Sequence, residues 1–109
     1  MAKVVWTRPA RKDLHEIVEY IARDSRFYAE RMRVRLVRAP RLLSRFPLSG
    51  RIVPEFNDEM IREVIYGNYR IIYVRGKQKC FIVAVIHLSR DLIRLLKPGE
   101  WDLTDYETE

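Results

Sequence analysis

Arginine dominates the side chains of this sequence that could do chemistry. Arg31, Arg35, Arg38 and Arg45 recur at a spacing that makes one stripe on a helix. Arg62 and Arg70 sit in a segment rich in β-branched and aromatic residues, and Arg90 follows an apolar run that ends at His87. A guanidinium is a planar fork of donors, suited to phosphate or carboxylate. Tyr66, Tyr69 and Tyr73 lie among these arginines; such rings form cross-strand pairs and can also stack a base. Cys80 is the single cysteine, and with only His15 and His87 beside it no zinc-ligand spacing exists. No metal and no cofactor is expected.

The elements that must position these groups follow from periodicity. Lys3 to Trp6 reads as a short strand. Thr7 can cap a following helix, and Pro9 suits its first turn. Ala10, Leu14, Ile17, Val18 and Ile21 then share one helical face. Asp24-Ser25 breaks this helix and can cap a second, with Tyr28, Met32, Leu36, Ala39, Leu43 and Phe46 as its buried face and the arginine stripe alongside. Pro40 removes a backbone donor and should kink or split that helix. Met60–Tyr66, Tyr69–Arg75 and Cys80–His87 read as strands, joined at Gly67-Asn68 and Gly76-Lys77. Asp91 to Leu96 reads as a short last helix. The fold class is therefore α+β, in the order β-α-α-β-β-β(-α): a helical hairpin packed on a small, twisted, mostly antiparallel sheet.

A hairpin turning at Gly67-Asn68 sets Tyr66 opposite Tyr69, Val64 opposite Ile71 and Arg62 opposite Tyr73. Glu63 and Arg70 then lie diagonally on the other face, within reach of each other. Arg62 and Arg70 cannot share a site unless a bulge intervenes. His87 is expected on the face of Phe81, Val83 and Val85.

The chain has 109 residues and 33% charged side chains, which fits one compact domain over residues 1–96 followed by an acidic tail, 97–109. No apolar run approaches a membrane span and no leader is visible, so a cytoplasmic protein without a membrane partner is expected. Net charge is +6, unevenly spread. Residues 1–53 hold 13 Lys/Arg and 5 Asp/Glu, whereas the last ten hold five acids and no base. A body this basic favours a polyanion or an acidic protein.

Several pieces together, in order and spacing, resemble the RelE/ParE superfamily of type II toxins. They are Trp6-Thr7-Arg8-Pro9-Ala10-Arg11-Lys12-Asp13-Leu14 with Tyr20-Ile21, Phe46-Pro47-Leu48-Ser49-Gly50-Arg51, and Val53-Pro54-Glu55. Ile61-Arg62-Glu63, Tyr69-Arg70-Ile71-Ile72-Tyr73, Ile82 through His87, and Arg90-Asp91-Leu92 complete the pattern. The resemblance implies a growth-arresting protein neutralised by a cognate antitoxin, and two modes of action. RelE-like members cut messenger RNA without a metal, usually on the ribosome; ParE-like members inhibit DNA gyrase.

Cutting RNA without a metal needs a base for the 2′-hydroxyl, cations around the phosphate and an acid for the leaving oxygen. By resemblance to YoeB-type nucleases, Glu55 stands at the position of the base and Arg70 at that of a phosphate-binding arginine. His87 could supply a proton, and Arg62 and Arg90 further charge to nucleic acid or target. The alternative for Arg70 is its pairing with Glu63. Two departures count against cleavage. The His-Tyr pair that serves catalysis in those nucleases is replaced by Ser89 and Arg90, and the paired lysines of RelE have no match. The stretch from Ile82 to Leu92 resembles the ParE end, so gyrase inhibition is the leading expectation. The alternatives are an mRNA endoribonuclease, and an inactive relative that serves as antitoxin partner or corepressor. Arg31, Arg35, Arg38 and Arg45 are expected to bind the antitoxin, and operator DNA to be reached only through it. Trp101 and Leu103 are apolar anchors in the acidic tail, which either frays or folds back on the basic face.

Overall fold

The computed structural model describes residues 1–107; residues 108 and 109, the end of the acidic tail, lie outside the described residues. Strand β1 is Lys3–Trp6, and helices α1 (Arg8–Ala22) and α2 (Arg26–Arg38) follow. Strands β2 (Arg51–Ile52), β3 (Ile61–Tyr66), β4 (Tyr69–Arg75) and β5 (Lys79–His87) come next, then short helices α3 (Leu92–Leu95) and α4 (Thr104–Glu107). The sheet order is β1-β5-β4-β3-β2, with β1 parallel to β5 and the other pairs antiparallel. The expected order is present, with the two-residue β2 added at the sheet edge.

Local signals act where the sequence places them. Thr7 Oγ1 accepts the Ala10 N–H at 3.4 Å and donates to Ile82 O at 2.7 Å, so one hydroxyl caps α1 and ties it to β5. Ser25 Oγ caps α2 by accepting the Tyr28 N–H at 3.2 Å. At Pro40 the α-helix has given way to a 3-10 segment, Ala39–Ser44, as a proline inside the pattern requires. The β3–β4 hairpin turns at Gly67, which adopts φ +56°, a conformation open to glycine without steric cost.

The sheet is covered on both faces. On one, α1 and α2 pack Ala10, Leu14, Ile17 and Leu36 over Ile71, Tyr73, Cys80, Ile82 and Val85. On the other, Leu92, Leu96, Trp101, Leu103 and Tyr106 of the C-terminal segment close over Val5, Ile72, Phe81, Val83 and Ile86. The Tyr106 hydroxyl accepts the Arg8 N–H at 2.9 Å, and Lys79 Nζ donates to Tyr106 O at 2.6 Å. The described part of the tail thus folds back, but onto the face away from the arginine stripe.

Two expectations are corrected. Tyr28 and Phe46 are not on the buried face of the second helix; they are 63% and 62% exposed, and Ala29, Leu36 and Leu43 fill the interface instead. His87 does not share a face with Phe81 and Val83. Tyr73 pairs with Ile82 and Ile72 with Ala84, leaving Val83 as an extra residue in β5. The bulge reverses the alternation, so His87 emerges on the helix face with Val85.

Candidate functional site

Arg70 anchors the main polar cluster. It lies on β4 opposite Ile65 of β3, facing away from the helices, with its side chain 7% exposed. Its Nε donates to Glu63 Oε1 at 2.6 Å, the diagonal contact expected from hairpin register. Its two terminal nitrogens donate to both oxygens of Glu55, at 2.6 and 2.7 Å. The second Glu63 oxygen accepts from Arg51 Nε at 2.6 Å. Two carboxylates and two guanidiniums therefore balance one another, and the fully buried Glu63 is ionically paired on both oxygens.

This geometry sets the protonation behaviour. Hydrogen bonds from Arg70 hold the Glu55 carboxyl below the usual carboxylate range, and bonding to Glu55 and Glu63 raises Arg70 further above its own. A carboxylate gripped in this way is a weak base.

Arg62 is on the other face, opposite Tyr73, where it holds the chain. It donates to Gly50 O at 3.0 Å and to Glu59 O at 3.0 Å. Tyr73 completes that clamp: its hydroxyl donates to Pro47 O at 2.7 Å and accepts from Gly50 N at 3.1 Å. Arg62 and Arg70 are not brought together.

His87 is likewise separated from Glu55 and Arg70 by the thickness of the sheet. It meets the Tyr69 ring edge-on, with centroids 5.3 Å apart. Its Nδ1 accepts the Ser89 N–H at 3.0 Å, which leaves the neutral ring's proton on Nε2. It lines an open cleft of about 660 Å³ with Asp13, Tyr20, Tyr69, Ser89 and exposed Arg90. This cleft lies where β1 has ended and β5 runs on. There Asp13 Oδ2 accepts the Val85 N–H at 3.0 Å, in place of a neighbouring strand. Burial pushes the Asp13 carboxyl up to about 6, with the Val85 bond opposing.

Sequence reasoning passed over Asp13 and Arg51. Asp13 left a signal, since it interrupts the apolar face that Ala10, Leu14 and Ile17 define; Arg51 left none.

Arg31, Arg35, Arg38 and Arg45 are all exposed, the first three on α2 and Arg45 just after the 3-10 segment. Among the described residues, no three His, Cys, Asp or Glu side chains are grouped to hold a metal. No helix among them is long and apolar enough to cross a membrane.

Residues 4–92 match the family described as the ParE toxin of the type II toxin–antitoxin system parDE. The chain belongs to the ParE toxin family. It is also 36% identical over 90 residues to Toxin RelE2 of Caulobacter vibrioides, covering 83% of this chain and 99% of that protein. Its fold resembles that of a chain in the chromosomal ParDE system from P. aeruginosa, with TM-score 0.66 and 18% identity, covering 80% and 96% of the two chains. A chain in the RelBE2 toxin–antitoxin complex from Mycobacterium tuberculosis gives TM-score 0.59 and 24% identity, covering 79% and 96%. The α+β fold and the place in the RelE/ParE superfamily stand as the sequence implied. In this ParE-family toxin, the segment after residue 92 that closes the second sheet face lies beyond the family match.

Proposed function

We propose that this toxin arrests growth by inhibiting DNA gyrase as a protein ligand, and that a cognate antitoxin neutralises it. The observation that carries this reading is the division of the three candidate nuclease residues. Glu55 is bound at both oxygens by Arg70, and His87 lies across the sheet from them. A base already neutralised by its phosphate-binding arginine, with the acid on another face, does not make a metal-free RNA-cutting site.

We expect the antitoxin to cover the exposed arginines of α2 and the sheet margin near Arg62, where charge complementarity and apolar burial combine; Arg70, first expected under it as well, is on the other face and bound to Glu55 and Glu63. The competing RelE-like reading has its own support in the relationship to Toxin RelE2 and in the cleft of Asp13, His87 and Arg90. A carboxyl with pKa about 6 there is a competent base near neutral pH.

Antitoxin-free protein added to gyrase supercoiling and to ribosomes translating a reporter messenger RNA separates the two. Blocked supercoiling with intact RNA supports the gyrase reading. Cleaved RNA with normal supercoiling overturns it and makes Asp13 and His87 the first residues to replace.

A further inference from the structure

The outer face of α2 and the turn after it is cationic to an unusual degree. Residues 26–45 contain seven arginines, no lysine and one acid, Glu30. Glu30 is paired with Arg33. Among the described residues, Arg26, Arg31, Arg35, Arg38, Arg41 and Arg45 have no carboxylate partner, and all six are exposed.

Two aromatic rings stand on this same face. Phe27 and Tyr28 are 65% and 63% exposed, with ring centroids 5.6 Å apart at 70°. The Arg31 guanidinium lies 5.5 Å from the Phe27 ring centroid. Helical spacing aligns Phe27, Arg31 and Arg38 on one line with Arg35 beside it, over about 16 Å of axis from Phe27 to Arg38. None of these side chains is needed by the core, which α2 fills with Ala29 and Leu36.

We propose that this face binds single-stranded RNA in the antitoxin-free toxin. Guanidiniums neutralise successive phosphates and the two exposed rings stack unpaired bases, the combination by which single strands are held without sequence preference. An acidic peptide would use the arginines but gains no stacking from the rings. A duplex offers its phosphates but keeps its bases stacked internally. Because the antitoxin is placed on the same arginines, RNA and antitoxin exclude each other there.

The test is fluorescence anisotropy with a fluorescein-labelled twelve-nucleotide uridine RNA, a DNA duplex of equal length and a twelve-residue glutamate peptide. Every substitution is at an exposed position, and circular dichroism confirms the fold of each variant. The RNA is expected to bind more tightly than the duplex or the peptide. Replacing Arg31, Arg35 and Arg38 together by Ala should weaken RNA binding more than tenfold. It should also flatten the logarithmic salt dependence by about 2, at roughly 0.7 for each phosphate no longer neutralised. Replacing Phe27 and Tyr28 by Ala should weaken binding roughly tenfold and leave that slope unchanged, as loss of stacking does.

Absence of RNA binding, equal affinity of the arginine variant, or an aromatic variant that binds like wild type each overturns the proposal. So does preference for the duplex or the peptide. The gyrase and antitoxin readings stand or fall on other measurements, so failure here does not touch them.

Discussion

Glu55 and Arg70 meet as a two-pronged ion pair, 2.6 and 2.7 Å long, 15 residues apart in sequence and joined across the turn that leads into β3. Glu63 holds the same guanidinium from inside the sheet at 2.6 Å. Of the two carboxylates, only Glu55 reaches solvent, with 28% of its side chain exposed. The two ends of Arg70 therefore differ in what they do for the fold.

Arg70→Ala should destabilise the protein by about 3–5 kcal/mol, because it strands the buried Glu63 charge with only Arg51 at its other oxygen. Glu55→Gln should cost about 1 kcal/mol, since its partner keeps Glu63 and the site is partly wet. Urea denaturation midpoints measure both. Under the gyrase reading, Glu55→Gln also leaves supercoiling inhibition unchanged.

The pairing of Glu63 with Arg70 was legible in the sequence, because a two-residue turn fixes register and register fixes diagonal neighbours. Glu55 was placed only by resemblance; its grip on Arg70 depends on how residues 53–57 turn back, with Asn57 at φ +47°. The face of His87 was not legible. β5 is buried on both sides, so its sequence is an unbroken apolar run without alternation, and the extra Val83 leaves no mark in it. Tyr28 and Phe46 misled for the opposite reason: large apolar residues at helical spacing read as core, yet Ala29 makes the closer approach to the neighbouring elements.

Asp13 makes stability depend on pH with a definite sign. Its carboxyl titrates near 6 when folded and near 3.8 when free, so folding favours the protonated form. That stabilisation is complete below pH 3.8 and is lost as pH rises through about 6. Asp13→Asn keeps an acceptor for the Val85 N–H and cannot ionise. Relative to wild type, the variant should gain stability between pH 4 and pH 7, on the order of 1–2 kcal/mol once the full linkage value is discounted for the solvent that reaches this partly exposed carboxyl. Parallel curves over that range would refute the assignment. Glu55 acts in the opposite direction: its depressed carboxyl withdraws stability as pH falls, in both proteins alike.

Gly50 has no room for a side chain. A Cβ there would lie 2.6 Å from the Tyr73 ring and 2.7 Å from the Glu63 carbonyl. Gly50→Ala should therefore push the 47–50 turn off Tyr73 and cost about 2–3 kcal/mol. Tyr73→Phe, which leaves Pro47 O and Gly50 N without the hydroxyl, should cost about 1–3 kcal/mol. Because both act on one clamp, the double variant should lose less than the sum of the two, measured by thermal unfolding.

The C-terminal segment and the arginine face are on opposite sides of the sheet, which separates two effects that the sequence left entangled. Ending the chain at Gly99 removes Trp101, Leu103 and Tyr106 from the apolar layer and frees the Arg8 N–H. Stability should fall by roughly 3 kcal/mol or more, and binding of an apolar dye should rise as Phe81 and Val83 meet solvent. Antitoxin affinity should change only slightly, through long-range charge that salt screens. Arg35→Ala with Arg38→Ala should do the reverse. Both side chains are exposed, so stability is retained, while affinity for the antitoxin drops about tenfold at low salt and its salt dependence flattens. Titration calorimetry of both variants at two salt concentrations decides the placement. If truncation weakens the complex as much as the arginine variant does, the antitoxin wraps the second sheet face as well, and the surface assigned to it on α2 is incomplete.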